Sequence, residues 1–202
     1  MKKNLMLSVF ALIFVNFGFA GGYEIGDKVS DFSLKNLNGK MVSLKDFKDV
    51  KGIVVIFTDN HCTTSKDYED LLIKLDTKYK EKGFPFVAIN PSNPEVNPKE
   101  SHVHMVMRAE KKGFTFPYLA DPDQSVARTF GVTKIPVAYL LNKVGDDFIV
   151  SYIGQIDPIT DYGAKDKKLR YLSNAIDALL MGNDPDPSHT RPGGCLLQYA
   201  TD

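Results

Sequence analysis

Two sulfurs carry whatever thiol chemistry this chain can do: Cys62, in "VVIFTDNHCTTSKDYEDLL" (54–72), and Cys195, in the tail segment "RPGGCLL" (191–197). Cys62 stands where an apolar, β-branched run gives way to a helical pattern. A thiol at the first turn of a helix meets unpaired backbone N–H groups and the positive end of the helix dipole. Both favour its thiolate, the form that attacks peroxides and disulfides. His61 beside it would add to that field when protonated, whereas the carboxylate of Asp59 would oppose it if it faced the sulfur. The plain alternative is that Cys62 is a small buried apolar side chain, as free cysteines commonly are.

The elements that must hold these sulfurs are readable from periodicity. "DFSLKNLNGKMVSL" (31–44) alternates around Asn38 and Gly39 and reads as a leading β-hairpin. "GIVVIF" (52–57) has the continuous apolar character of a strand covered on both faces, and "FPFVAIN" (84–90) repeats it. Between them, Tyr68, Leu71, Leu72, Leu75 and Tyr79 mark one face of a helix, with Thr64 and Asp67 as a candidate capping box and an end near Gly83. After the loop "PSNPEVNPKES", a helix is expected over about 99–112, then a short extended piece and a brief helix with Val126, Ala127 and Phe130 inward. "KIPVAYLLNKVGDDFIVSYIGQI" reads as an antiparallel hairpin. A last helix over about 166–181 puts Leu169, Leu172, Ile176, Leu179 and Leu180 on one side, and Gly182 stops it. The order hairpin, β, α, β, α, short α, β-hairpin, α argues an α/β layer fold with helices on both faces of a mixed central sheet.

The chain opens with "MKKNLMLSVFALIFVNFGFAGG": two lysines, an apolar run from Leu5 to Phe19, and small residues Gly18 and Ala20 at its end. That is the pattern of a signal peptide over 1–20, and the run is short for a membrane anchor. The expectation is an exported protein, periplasmic or extracellular, with no stable membrane insertion once the leader is removed. Without Lys2 and Lys3 the balance of 25 basic against 25 acidic residues becomes 23 against 25, which leaves no basic excess for nucleic acid. The remaining length suits one domain, 21–182, followed by an irregular extension, 183–202. In an oxidising compartment Cys62 and Cys195 can pair. A loop of more than a hundred residues would then constrain the unfolded chain by about 4–5 kcal/mol in the entropy model.

Other polar groups read as ordinary. His102 and His104 are two apart, and such residues on a helix do not face one another, so no metal pair is assigned. Asp121, Asp123 and "DPDPS" lack the spacing of a calcium loop. Arg128, on a short helix beside Asp123, reads as a surface ion-pairing residue, and no cofactor is assigned. Pro136 directly precedes a strand, a place where X–Pro bonds are often cis.

Together these segments resemble the redoxin branch of the thioredoxin-like superfamily, the alkyl hydroperoxide reductase and thiol-specific antioxidant type. The resemblance rests on "VSDFSLKNLNGKMVSLKDF", "IVVIFTDNHC", "FPFVAINPSNPE", "KGFTFPYLADPDQSVARTFGV" and "KIPVAYLL". It is similar above all to a subgroup whose turn reads Phe-Thr-Cys-Asn-His-Cys and whose tail ends in Gly-Cys. This chain keeps Phe57, Thr58, Asn60, His61, Cys62 and Cys195 but has Asp59 in place of the first cysteine. The peroxiredoxin pattern Pro-x-x-x-Thr-x-x-Cys is not met either, since Val55 and Asp59 stand at its proline and threonine. The resemblance implies a thioredoxin-like fold and a thiol oxidoreductase or antioxidant protein. Cys62 would be its reactive sulfur, oxidised by peroxide or by exchange with a protein thiol or disulfide partner. Cys195 would either resolve it or close a resting bond. Thr58, Asn60 and His61 would shape the turn, Asp59 would accept a proton, and Pro136 would present the backbone edge on which a partner docks. The missing cysteine equally suits a degenerate, non-catalytic member that keeps the scaffold to bind a partner or ligand.

Overall fold

A computed structural model describes residues 21–158 and 170–200. The expected signal peptide and the first turn of the expected last helix, Leu169 included, lie outside the described residues. The sheet runs in the order β2-β1-β5-β4-β3-β7-β8. Its strands are β1 (Ser33–Asn36), β2 (Met41–Ser43), β3 (Gly52–Phe57), β4 (Phe86–Asn90), β5 (Tyr118–Ala120), β7 (Val137–Val144) and β8 (Asp147–Gly154). β3, β4 and β5 are parallel neighbours, while β1/β2, β1/β5, β3/β7 and β7/β8 are antiparallel. The leading hairpin, the mixed sheet and the closing hairpin of the sequence reading are all present.

All six residues of β3 are buried, and the pleat divides them between two cores. Val54 and Ile56 join Leu71, Leu72, Leu75 and Tyr79 of α1 (Thr63–Lys80), Met105 of α2 (His102–Lys112) and Leu172 and Ile176 of α4 (Tyr171–Leu180). Ile53, Val55 and Phe57 join Val126, Ala127 and Phe130 of α3 (Ser125–Phe130) on the opposite face. Phe130 is the centre of that second core, with ring centroids 5.1 Å from Phe57 and 5.0 Å from Tyr139.

One expectation about the elements needs correction. α1 starts at Thr63 with Cys62 as its N-cap, so Thr64 and Asp67 lie inside the helix and not at its cap. The reason is local. The Thr58 N–H still bonds Ile89 O across to β4, and the Asp59 side chain turns back to the Cys62 N–H, so the turn closes ahead of Thr64.

The C-terminal extension is fastened to the sheet: Ser188 and Thr190 exchange backbone bonds with Ile153. A two-residue strand, β9 (Cys195–Leu196), pairs antiparallel with β6 (Lys134–Ile135), placing Cys195 opposite Ile135. The apolar patch expected at its end finds a place, with Leu197 and Tyr199 packed on the α3-side core.

Candidate functional site

The site forms at the carboxyl end of β3, where the chain needs five residues to turn from strand to helix. Asp59 Oδ1 accepts the Cys62 N–H at 2.8 Å, and the first bond of α1 runs from Lys66 N–H to Cys62 O. Asn60 braces the turn from outside. Its N–H donates to Glu100 Oε2 (2.9 Å), its side-chain amide donates to Lys99 O, and its Oδ1 accepts from the Tyr118 hydroxyl (3.1 Å). Asn90 Nδ2 donates to the same Glu100 oxygen at 2.9 Å, tying the turn to the end of β4. Thr58 is buried and His61 is exposed.

Cys62 is only 3 % exposed, and its Sγ is bonded to Cys195 Sγ, 2.04 Å away. The same sulfur lies 3.7 Å from Ile135 O, the carbonyl just before Pro136. The Ile135–Pro136 bond is cis. Cys195 is half-buried and flanked by exposed Gly194 and Leu196. Its approach to β6 is close enough that only glycine fits before it: Gly194 has φ +93°, and a Cβ there would collide with Ile135 O. Gly154 does the same on the framework side, where an added Cβ would strike Thr190.

Hydrogen bonds hold the tail on both sides of the sulfur. Upstream, Thr190 Oγ1 accepts from Gln155 N–H and shares a hydrogen bond with the Tyr152 hydroxyl. Downstream, Gln124 Nε2 donates to Gln198 O and its Oε1 accepts from Ala200 N–H, while the Tyr199 hydroxyl donates to Val132 O. Arg128, expected to pair with a surface carboxylate, instead donates to Ala200 O (2.7 Å) and lies 4.5 Å over the Tyr199 ring. An exposed acidic partner is a weaker attraction than a carbonyl and a ring together, which hold the guanidinium at two points.

A cleft of about 450 Å³ opens over the bond, lined by Asp59, His61, Val96, Asn97, Ile135 and Leu196 among others. Val96 and Leu196 are exposed apolar side chains on its rim. Burial pushes the Asp59 carboxyl up from its ordinary value, against the lowering pull of the Cys62 and His61 backbone N–H groups. Burial likewise raises Glu100, with the neighbouring Asp59 charge adding to the effect. Its second oxygen, Oε1, is buried without a hydrogen-bond partner.

Comparison with known proteins gives this geometry its relatives. The AhpC/TSA family profile matches residues 25–152. The chain belongs to the AhpC/TSA family. Among this family member's curated relatives is the thiol-disulfide oxidoreductase ResA of Bacillus thuringiensis subsp. konkukian, 29 % identical over 157 residues, which are 72 % of this chain and 86 % of the relative. An uncharacterized conserved protein from Geobacillus kaustophilus superposes with a TM-score of 0.77 at 32 % identity, covering 89 % of this chain and 94 % of its own. A hypothetical protein from Sinorhizobium meliloti gives 0.79 at 28 % identity, covering 90 % and 98 %. The fold is thioredoxin-like.

Every residue singled out in the sequence for the site, namely Thr58, Asp59, Asn60, His61, Cys62, Pro136 and Cys195, lies in the turn, between β6 and β7 or in the tail strand. Sequence reading missed Glu100, Asn90, Tyr118 and Gln124, which brace the turn and the tail. "NPKES" did carry a signal: Glu100 is a carboxylate just ahead of a helix, and it is buried. Gln124 had none, because its role depends on residues more than seventy positions away.

Proposed function

We propose that this is an exported thiol-disulfide oxidoreductase whose redox unit is the Cys62–Cys195 pair. The observation that carries the reading is that the tail brings the second sulfur to the turn, where relatives of this fold named thiol-disulfide oxidoreductases suggest thiol exchange. Asp59 removes a dithiol from within the turn, and Cys195 supplies the missing partner from outside it. Cys62 is the reactive sulfur of the reduced protein, favoured as thiolate by the N-terminus of α1. Thr58, Asn60 and His61 shape its turn, Asp59 takes up a proton, and the backbone edge at Ile135–Pro136 seats the cysteine-bearing segment, here the protein's own. Partners are protein thiols or disulfides, and peroxide is the alternative oxidant of Cys62. In that case a sulfenic acid forms at Cys62 and Cys195 condenses with it to regenerate the bond.

The test is reduction of a protein disulfide such as insulin by the reduced mature chain, with Cys62→Ser and Cys195→Ser alongside. Turnover by the wild type and its loss in both variants is the expected result. A second reading is favoured by the burial of Cys62: a binding protein in which the bond is permanent. It requires that neither substitution change any exchange activity and that Cys62→Ser keep partner binding.

A further inference from the structure

We propose that in the oxidised protein an incoming thiol attacks Cys195 and not Cys62, so that the partner is carried as a mixed disulfide on the tail. This rests on the thiol-exchange reading above and adds the order of events. Thiolate attack on a disulfide is a displacement in line with the S–S axis, so the attacked sulfur must be open on the side away from its bonded neighbour. Cys62 is 3 % exposed, and its Sγ lies 3.7 Å from the carbonyl oxygen of the buried Ile135. Cys195 is partly exposed, sits between the exposed Gly194 and Leu196, and borders the cleft. Both cysteines line that cleft, and Cys195 is the more open of the two to an incoming thiol.

Leaving-group chemistry points the same way. Exchange is faster when the departing sulfur is the better thiolate. Attack on Cys195 expels Cys62, the N-cap of an 18-residue helix, where the helix end stabilises a negative sulfur. The Asp59 carboxylate subtracts from that field, while one of its oxygens accepts the Cys62 N–H. Attack on Cys62 would expel Cys195, which lies on a two-residue strand with no such stabilisation.

The balance is simple. The partner thiolate forms a bond to Cys195 Sγ, the Cys62–Cys195 bond breaks, and its electron pair leaves on Cys62. A second partner thiolate then attacks the partner's own sulfur in the mixed disulfide, and Cys195 leaves as a thiolate. A protein dithiol has lost two electrons, becoming a disulfide, and this protein has gained two thiolates that take protons from solvent. The bonds from Thr190 upstream and from Gln124 and Tyr199 downstream keep the loaded Cys195 near Cys62. Run in reverse, the same path loads a partner sulfur onto Cys195, and the Cys62 thiolate, the reactive sulfur of the reduced protein, then attacks the loaded Cys195 and closes the bond as the partner leaves.

The experiment uses the oxidised chain with glutathione as the thiol. After a short exposure the mixture is acid-quenched, free thiols are capped with N-ethylmaleimide, and both cysteines are mapped by mass spectrometry. Glutathione on Cys195 with maleimide on Cys62, in at least about tenfold excess over the reverse pattern, is the expected result. Glutathione on Cys62, on both sulfurs equally, or on neither while dithiothreitol opens the bond would overturn the order. A bond that resists dithiothreitol as well would overturn the exchange reading itself, which separates the two failures.

Discussion

The two halves of the redox pair are held in opposite ways. Cys62 belongs to the framework: β3 ends, the Asp59 side chain closes the turn, and α1 begins on the next residue. Cys195 belongs to a strap whose strand, Cys195–Leu196, is two residues long, and individual hydrogen bonds fasten it on each side. Removing one framework contact leaves many others, whereas the strap depends on a few. The difference teaches where redox control of this pair lies: the position of the buried sulfur is a property of the fold, and that of the accessible one is a property of the tail.

The largest test of that contrast is Gly194→Ala. Its φ of +93° disfavours any side chain, and the new Cβ would meet the Ile135 carbonyl, so β9 must lift away from β6. Two free thiols should appear on titration under non-reducing conditions, with the unfolding free energy lower by about 2–5 kcal/mol from loss of the bond. Gly193→Ala, whose Cβ would meet nothing within 4 Å, is the control and should leave both readouts unchanged. An intact bond and unchanged denaturation midpoint in Gly194→Ala would show that the strap is looser than its contacts indicate.

A smaller effect is expected from Gln124→Ala. Gln124 is fully buried and bonds Pro91 O, Gln198 O and Ala200 N–H, so its loss strands three backbone groups. Water reaching the loosened tail would rescue some of them, giving a destabilisation of about 1–3 kcal/mol. The bond should still form but be reduced faster by dithiothreitol, because the sulfur it carries is held less firmly. Loss of stability with no change in reduction rate would mean that Gln124 serves the core and not the strap.

The same contrast explains what could be read from the sequence. β3, α1 and their order declare themselves in "GIVVIF" and in the spacing of Leu71, Leu72, Leu75 and Tyr79, because burial on one face writes a period into the chain. Cys62 could be located for that reason, and Asp59 beside it. The capping box expected at Thr64 and Asp67 does not mark the start of α1, because such a pair three apart matches that pattern anywhere in the first turns. What actually sets the start is a side chain from before the helix. The tail has no period to read. Its position comes from Gln124, Arg128 and Thr190 meeting residues brought close by the fold, and Arg128 in particular shows a polar side chain whose partner, Ala200 O, carries no sequence signature.

The finest test addresses the framework side alone. Asp59→Asn keeps an oxygen to accept the Cys62 N–H while removing the charge, so the turn should persist. In the reduced Cys195→Ser background, the pH midpoint of Cys62 alkylation should fall by about one unit, since a negative neighbour of the thiolate is gone. Stability supplies an independent check. Burial raises the Asp59 carboxyl above its ordinary 3.8, so between that value and the raised one the folded state keeps a proton that the unfolded state has released. Wild-type stability contributed by this group therefore declines as pH rises through that window and does not return above it. Asp59→Asn should flatten the decline in urea midpoints measured across the acid range, while Glu100, raised by burial in the same way, keeps its own share. If the variant instead loses stability at neutral pH and its thiol midpoint does not move, Asp59 acts through the geometry of the turn, and its charge has no hold on the sulfur.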